Sequence, residues 1–220
     1  MNKQREELID KGKAVANKYF GVTLFETQAL ILGAILEPTI KEVAIITPTR
    51  YGKTFTIGIG ALASAALLDY EVQIGGGDKE KAKIAMTKII KALPSADKVI
   101  TQNLIGGDTL SKVSQSLSKS KLGWSSGGSI DIFSVSERLK STNTKGEGAI
   151  GLGGDLIILD ESALISDDNY STVRRMLAEN THTKLVEISN PHKENHFKKS
   201  MHDPDVFTIW IDEDVALKEG

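Results

Sequence analysis

The chain has 220 residues, 40% of them hydrophobic and 25% charged, with no cysteine and a formal net charge of −2. That is the composition of a globular protein with a full hydrophobic core. It excludes disulfides and thiolate metal sites, which makes a reducing cytoplasm the expected compartment. The polar N-terminus MNKQREELIDKGK is no secretory signal, and no apolar run reaches the ~18 residues a membrane span needs. Charge is uneven: residues 78–121 carry nine lysines against four acids, and residues 203–220 six acids against one lysine. The bland reading is solvated surface, and the sharper one is a face for phosphates or a partner. The weak overall acidity counts against a high-affinity nucleic-acid clamp.

Taken in chain order, residues 3–19 read as a charged helix. TLFETQALILGAIL (23–36) has helical apolar spacing, with Thr23 as its expected N-cap and Pro38 closing it. EVAIIT (42–47) is a short continuous apolar run, hence a buried strand. A helix rich in alanine and leucine follows over 52–70, then a strand at 71–75. The spacing predicts an amphipathic helix over 78–93, capped by Asp78 and ended by Pro94. Two strands flank the SSGG turn at 125–128 within a serine-rich stretch. The glycine-rich KGEGAIGLGG (145–154) leads into the apolar strand DLIILD (155–160). A helix at 168–180 and strands KLVEIS (184–189) and VFTIWI (206–211) complete the chain. Strands alternating with helices predict an α/β fold with a mainly parallel sheet covered on both faces.

TPTRYGKT (47–54), between a strand and a helix, approximates the phosphate-loop pattern G-x-x-x-x-G-K-[ST], although Thr47 stands where the first glycine belongs. A bare G-K-T triplet is weak; its position after a buried strand is what strengthens it. Backbone N–H groups at the helix start cradle phosphate oxygens. Gly52 permits close approach, Lys53 reaches the terminal phosphates, and the Thr54 hydroxyl suits Mg²⁺. Thr49, Arg50 and Tyr51 complete the loop. LIILDES adds a second site, with Asp160 emerging at a strand's C-terminal end to hold Mg²⁺ and Glu161 placed to activate water. An isolated Asp-Glu pair is more often a strand-end cap. Gln28 offers two hydrogen bonds to an adenine edge, against the plain reading of a surface glutamine. Ser189 and Asn190, in SNP, end the strand after LIILD, where polar groups can sense a γ-phosphate.

Jointly, Gln28, TPTRYGKT, LIILDES and EISNP resemble the ATPase domain of large terminase subunits, the motors that package DNA into phage heads. The resemblance runs from about residue 20 to the end. It implies a P-loop NTPase of the additional-strand, catalytic-glutamate type, using ATP and Mg²⁺. A helical arm at about 1–22 and lid elements at about 192–220 would flank one ATPase domain. The implied partners are double-stranded DNA, a portal protein, a small terminase subunit and further copies in a ring, in the cytoplasm of an infected bacterium. The isolated domain is expected to be monomeric. An arginine from a neighbouring copy would complete each site, and Arg138 in SERLKSTNTKGEG is the expected donor. Arg174, Arg175 and Lys145 are its alternatives. The chain ends at Gly220 before the C-terminal nuclease of the family, so no nuclease activity is expected. The competing readings are a helicase-like lobe, for which a second lobe is missing, and a non-hydrolysing nucleotide-binding assembly module, against which Glu161 argues.

Other patterns carry less. In HKENH (192–196), Glu194 lies one position too late for a zinc-hydrolase helix. SSGGS precedes a strand-like segment, not a helix, and no nucleophile elbow surrounds any serine.

Overall fold

The apolar runs form the strands. The structure is a computed structural model that describes residues 2–48, 51–76, 79–105, 121–135, 154–179, 182–190 and 194–219. Six strands run parallel in one sheet: β1 (Glu42–Ile46), β2 (Glu71–Gly76), β4 (Ser129–Ser134), β5 (Leu156–Asp160), β6 (Lys184–Ser189) and β7 (Phe207–Trp210). The short β3 (Lys121–Gly123) pairs antiparallel with β4 across the SSGG turn. The sheet order is β3-β4-β2-β5-β6-β1-β7. The strand of the loop, β1, and the strand of LIILD, β5, are therefore not neighbours, because β6 lies between them.

Side chains alternate across each strand, so both faces of this sheet need cover. On one face, Val43, Ile45, Val72, Ile74, Leu156, Ile158, Val186 and Ile188 join a single core with helices from the first half of the chain. Those helices are α1 (Lys3–Phe20), α2 (Glu26–Leu36), α3 (Lys53–Leu67), α4 (Lys79–Ala92) and the one-turn α5 (Lys98–Thr101). On the other face, Ile157, Leu159 and Leu185 pack against Tyr170 and Val173 of α6 (Asp167–Glu179). Beside them Ala44 and Ile46 meet Phe197 and Met201 of α7 (His196–His202). A last helix, α8 (Glu213–Glu219), follows β7.

Helices α1 and α2 touch backbone to backbone. A Cβ at Gly12 would lie 1.9 Å from Ala29 O, and one at Gly33 2.0 Å from Leu8 O. The arm α1 also reaches the sheet edge, where the Arg5 guanidinium donates to Thr208 O at 2.7 Å and sits over the Phe207 ring.

Several element expectations shift. The second helix begins at Glu26, with Phe25 and not Thr23 in the cap position. Phe25 has no side-chain acceptor; instead Gln28 Oε1 accepts its backbone N–H at 3.2 Å, and Glu219 Oε1 accepts Thr27 N–H at 3.2 Å. The first turn is thus satisfied by a side chain one turn on and by one from the far end of the chain. Helix α3 stops at Leu67, short of Tyr70. The expected Asp78 cap and most of the 145–154 loop lie outside the described residues. The short helices α5, α7 and α8 have no counterpart in the sequence expectations.

Candidate functional site

The C-terminal ends of β1, β5 and β6 lie on one edge of the sheet, and of the sequence-predicted residues Lys53, Thr54, Asp160, Glu161, Ser189 and Asn190 lie at or after them. The loop after β1 enters α3 through Gly52, whose φ of +84° is a conformation that favours glycine. Its ring of supports is visible. A Cβ at Gly52 would lie 3.0 Å from Gln28 Nε2, and that amide donates to Tyr51 O at 3.1 Å. Tyr51, also buried, turns its hydroxyl to Thr27 and Glu219. Burial and the Glu219 carboxylate together raise its phenol far above the ordinary range. Gln28 and Tyr51 thus brace the loop from beneath, with Gln28 spending one donor on Tyr51 and one acceptor on Phe25.

Helix α1 is capped by Asn2 and α5 by Asp97, yet α3 has no side-chain cap and no acid in its first turn. Among the described residues no side chain takes up its first N–H groups or the positive end of its dipole, which suits an anion there. Lys53 and Thr54 are the first two residues of this helix.

Asp160, the last residue of β5, is 9% exposed. Burial raises its carboxyl above the usual range, and the positive charge of Lys53 pulls the other way. Its Oδ1 is buried with no hydrogen-bond partner among the described residues. The next strand end repeats the pattern, with Asn190 Oδ1 buried and without a hydrogen-bond partner among the described residues, after the buried Ser189. A buried carboxylate oxygen without a partner among the described residues, close enough to Lys53 to feel its charge, has the chemistry that a hard divalent cation with oxygen ligands takes. Glu161 follows Asp160 with φ 56° and ψ 42°, a left-handed conformation that costs a non-glycine residue about 1 kcal/mol. A cavity of about 370 Å³ lies beside the loop, lined by Thr47, Pro48, Asn190, Trp210 and Asp212 among others.

Thr49, Arg50, Arg138 and Lys145 lie outside the described residues. Arg174, an alternative to Arg138, places Nη1 2.7 Å from both carboxylate oxygens of Glu42. Among the described residues no group of three or more His, Asp or Glu side chains is placed to hold a metal ion; His192 of HKENH lies outside the described residues, and His196 faces Ser162 and Asp167.

The family model for the N-terminal part of the T4-like type of large terminase subunit matches residues 44–214. The chain belongs to the large terminase subunit family. No curated protein sequence matches it. Solved structures agree on the fold. The ATPase domain of the Thermus phage P74-26 large terminase is 13% identical with a TM-score of 0.66, over 91% of this chain and 85% of that one. The bacteriophage HK97 large terminase is 18% identical with a TM-score of 0.65, over 94% of this chain and 43% of its own. The large terminase of thermophilic bacteriophage D6E, solved with ADP, is 12% identical with a TM-score of 0.59, over 90% of this chain and 48% of its own. The chain thus spans less than half the length of the HK97 and D6E proteins. The P-loop NTPase fold expected from the sequence is the one observed. No described helix is long and apolar enough to cross a membrane.

In this terminase domain a second group of polar residues lies behind Glu161, and the sequence reading missed it. Glu187 is a carboxylate in the centre of β6, 2% exposed. Its Oε1 accepts the Ser162 hydroxyl at 2.7 Å and its Oε2 the Tyr170 hydroxyl at 3.1 Å. His196 Nε2 lies 3.1 Å from Ser162 Oγ, and its Nδ1 lies 3.2 Å from Asp167 Oδ1. The imidazole stacks on the Tyr170 ring at 3.8 Å. The His196 backbone N–H and ring hold the Asp167 carboxyl below its usual range. Serine, histidine and aspartate here stand in triad order, but Ser162 is fully buried and its proton goes to Glu187, so it is no nucleophile. One signal was present in sequence: a lone glutamate in KLVEIS, a strand otherwise fit for burial on both faces.

Proposed function

We propose that this terminase domain is an ATP-hydrolysing motor that drives double-stranded DNA into a viral procapsid. It would act in the cytoplasm of the infected bacterium, in a homo-oligomeric ring with the portal protein and small terminase subunit. The observation that carries the reading is the uncapped N-terminus of α3, bearing Lys53, set against the orphaned and buried Asp160 at the end of β5. A polyphosphate and its counter-ion supply what both ends lack.

The roles follow from position. Backbone N–H groups from Thr49 to Thr54 would hold the phosphates, with Arg50 adding charge from within the loop. Lys53 would bind the β- and γ-phosphate oxygens. Thr54 and Asp160 would hold Mg²⁺, which when bound neutralises charge on the phosphoryl group. Glu161 would orient the attacking water and accept its proton. Ser189 and Asn190 would face the γ-phosphate. Gln28 would brace the loop and turn its remaining amide capacity toward the adenine. Arg138 from a neighbouring copy would stabilise the transition state, worth roughly 10³- to 10⁵-fold in rate. The whole chain would form one ATPase domain, with an arm over about 1–22 and lid elements over about 192–220.

The test is phosphate release from ATP in the wild type and in Glu161→Gln. The variant should bind ATP normally and hydrolyse it about 100-fold more slowly or worse, because the base is lost while the shape is kept. Equal turnover would remove Glu161 from the role.

A further inference from the structure

The turn that carries Glu161 is held from behind by more contacts than a strand-to-helix connection needs. Leu164 N–H donates to Glu161 O at 2.9 Å and Ile165 N–H to Ser162 O at 3.0 Å, closing a single 3₁₀ turn over Ser162–Leu164. That turn alone does not fix a left-handed glutamate, since an unsupported residue of this kind relaxes to right-handed or extended backbone. Three attachments from elsewhere converge on it. The Ser162 hydroxyl is anchored to Glu187 at the middle of β6. Asn195 Nδ2 donates to Ala163 O at 2.8 Å. His196 meets Ser162 through its ring and donates its backbone N–H to Asp167 Oδ1 at 2.9 Å. Tyr170 closes the group by stacking on His196 and donating to Glu187.

We propose that Ser162, Glu187 and His196 form a buried positioning cluster that holds Glu161 in its left-handed conformation and ties the start of α7 to it. None of the three touches a substrate; each acts through the turn. The placement matters because Glu187 sits two residues before Ser189 and His196 six residues after Asn190. The cluster thus brackets the polar end of β6 in sequence and meets Glu161 in space. A shift of β6 or α7 would be felt first at Ser162, whose fully buried hydroxyl has no solvent to turn to. Displacing a catalytic group by about 1 Å costs on the order of 100-fold in rate, so modest loosening here has a large readout. The kinetic consequence rests on Glu161 being the base; the positional claim does not.

Two measurements separate these. The first is amide hydrogen exchange in wild type, Ser162→Ala and His196→Gln. Ser162→Ala is the mild variant, removing one buried hydroxyl and little volume. Exchange at Leu164 and Ile165 should quicken at least 10-fold in both variants, while amides of β2 and of the α1–α2 pair stay unchanged. Unchanged protection at Leu164 and Ile165 would overturn the proposal, as would uniform loosening of the whole domain. The second is a double-mutant cycle on ATP hydrolysis. Ser162→Ala should lower kcat at least 10-fold with affinity for a non-hydrolysable ATP analogue unchanged within 2-fold, and should change the residual rate of Glu161→Gln less than 2-fold. Equal losses in both backgrounds would show that the cluster does not act through Glu161. Quickened exchange in the two variants together with a wild type that does not hydrolyse ATP would leave the cluster standing and overturn the ATPase reading instead.

Discussion

Lys184 opens β6 from the buried side of the sheet's far end, 4% exposed, with its ammonium donating to the carbonyls of Ala34, Ile35 and Glu37. Carbonyls at the end of a helix lack the usual partner four residues on, and although Ala34 O and Glu37 O also accept the Glu37 and Ile40 N–H groups, a lysine there meets the negative end of the dipole. Burial lowers the Lys184 ammonium from its ordinary 10.5 to about 7. The sign of the pH effect follows. The unfolded chain keeps this proton up to its ordinary value, whereas the folded chain releases it earlier. The contribution of Lys184 to stability is therefore flat below about pH 7 and rises with pH from there toward 10.5, by at most about 1.4 kcal/mol per pH unit. Urea unfolding of wild type and Lys184→Met at pH 6 and pH 8.5 checks this. The wild type should gain on the variant at the higher pH, and a pH-independent gap would contradict the assignment.

At the scale of elements, the contact of α1 with α2 depends on two missing side chains. Gly33→Ala would improve intrinsic helix propensity by about 1 kcal/mol. The new Cβ would nevertheless lie 2.0 Å from a backbone carbonyl that cannot swing aside, so the helices must part. Net destabilisation of about 2 kcal/mol is expected, read as a lower melting temperature; a stabilised variant would show that the two backbones are not in contact. This crossing also marks where sequence reading stops. The apolar runs of β1, β5 and β6 and the long helices α1 and α6 were legible, because each buries a contiguous or periodic set of side chains. Thr23 looked like the start of α2 because its chemistry suits a cap. The observed cap uses Gln28 and Glu219, and Glu219 lies 192 residues from Thr27, a relation no local pattern carries. Helix α7 was unreadable for the same reason: its seven residues make little periodicity, and His196 is fixed by contacts to Ser162, Asp167 and Tyr170. Glu161 stood out in sequence because LIILD precedes it, whereas Glu187 and His196, which meet its neighbour Ser162, come near it only in the fold.

For the molecule as a whole, the strand order does the positioning. Inserting β6 between β1 and β5 sets the loop, Asp160 and Asn190 at the ends of three adjacent strands, with α3 pointing its N-terminus at the gap. The site at that edge has a cation at the helix start and, among the described residues, buried oxygens without partners at two strand ends. In the proposed function this edge binds a nucleotide polyphosphate with Mg²⁺. Thermal unfolding with and without saturating ATP and Mg²⁺ tests it most directly. Ligand at about 100 times its Kd stabilises the folded state by about 2.7 kcal/mol, a shift of roughly 5–10 °C for a chain of this length. The wild type should show that shift, Lys53→Ala should lose it, and Asp160→Asn should lose the part that requires Mg²⁺. A wild type that does not shift, or a Lys53→Ala variant that shifts as far as the wild type, would contradict the account.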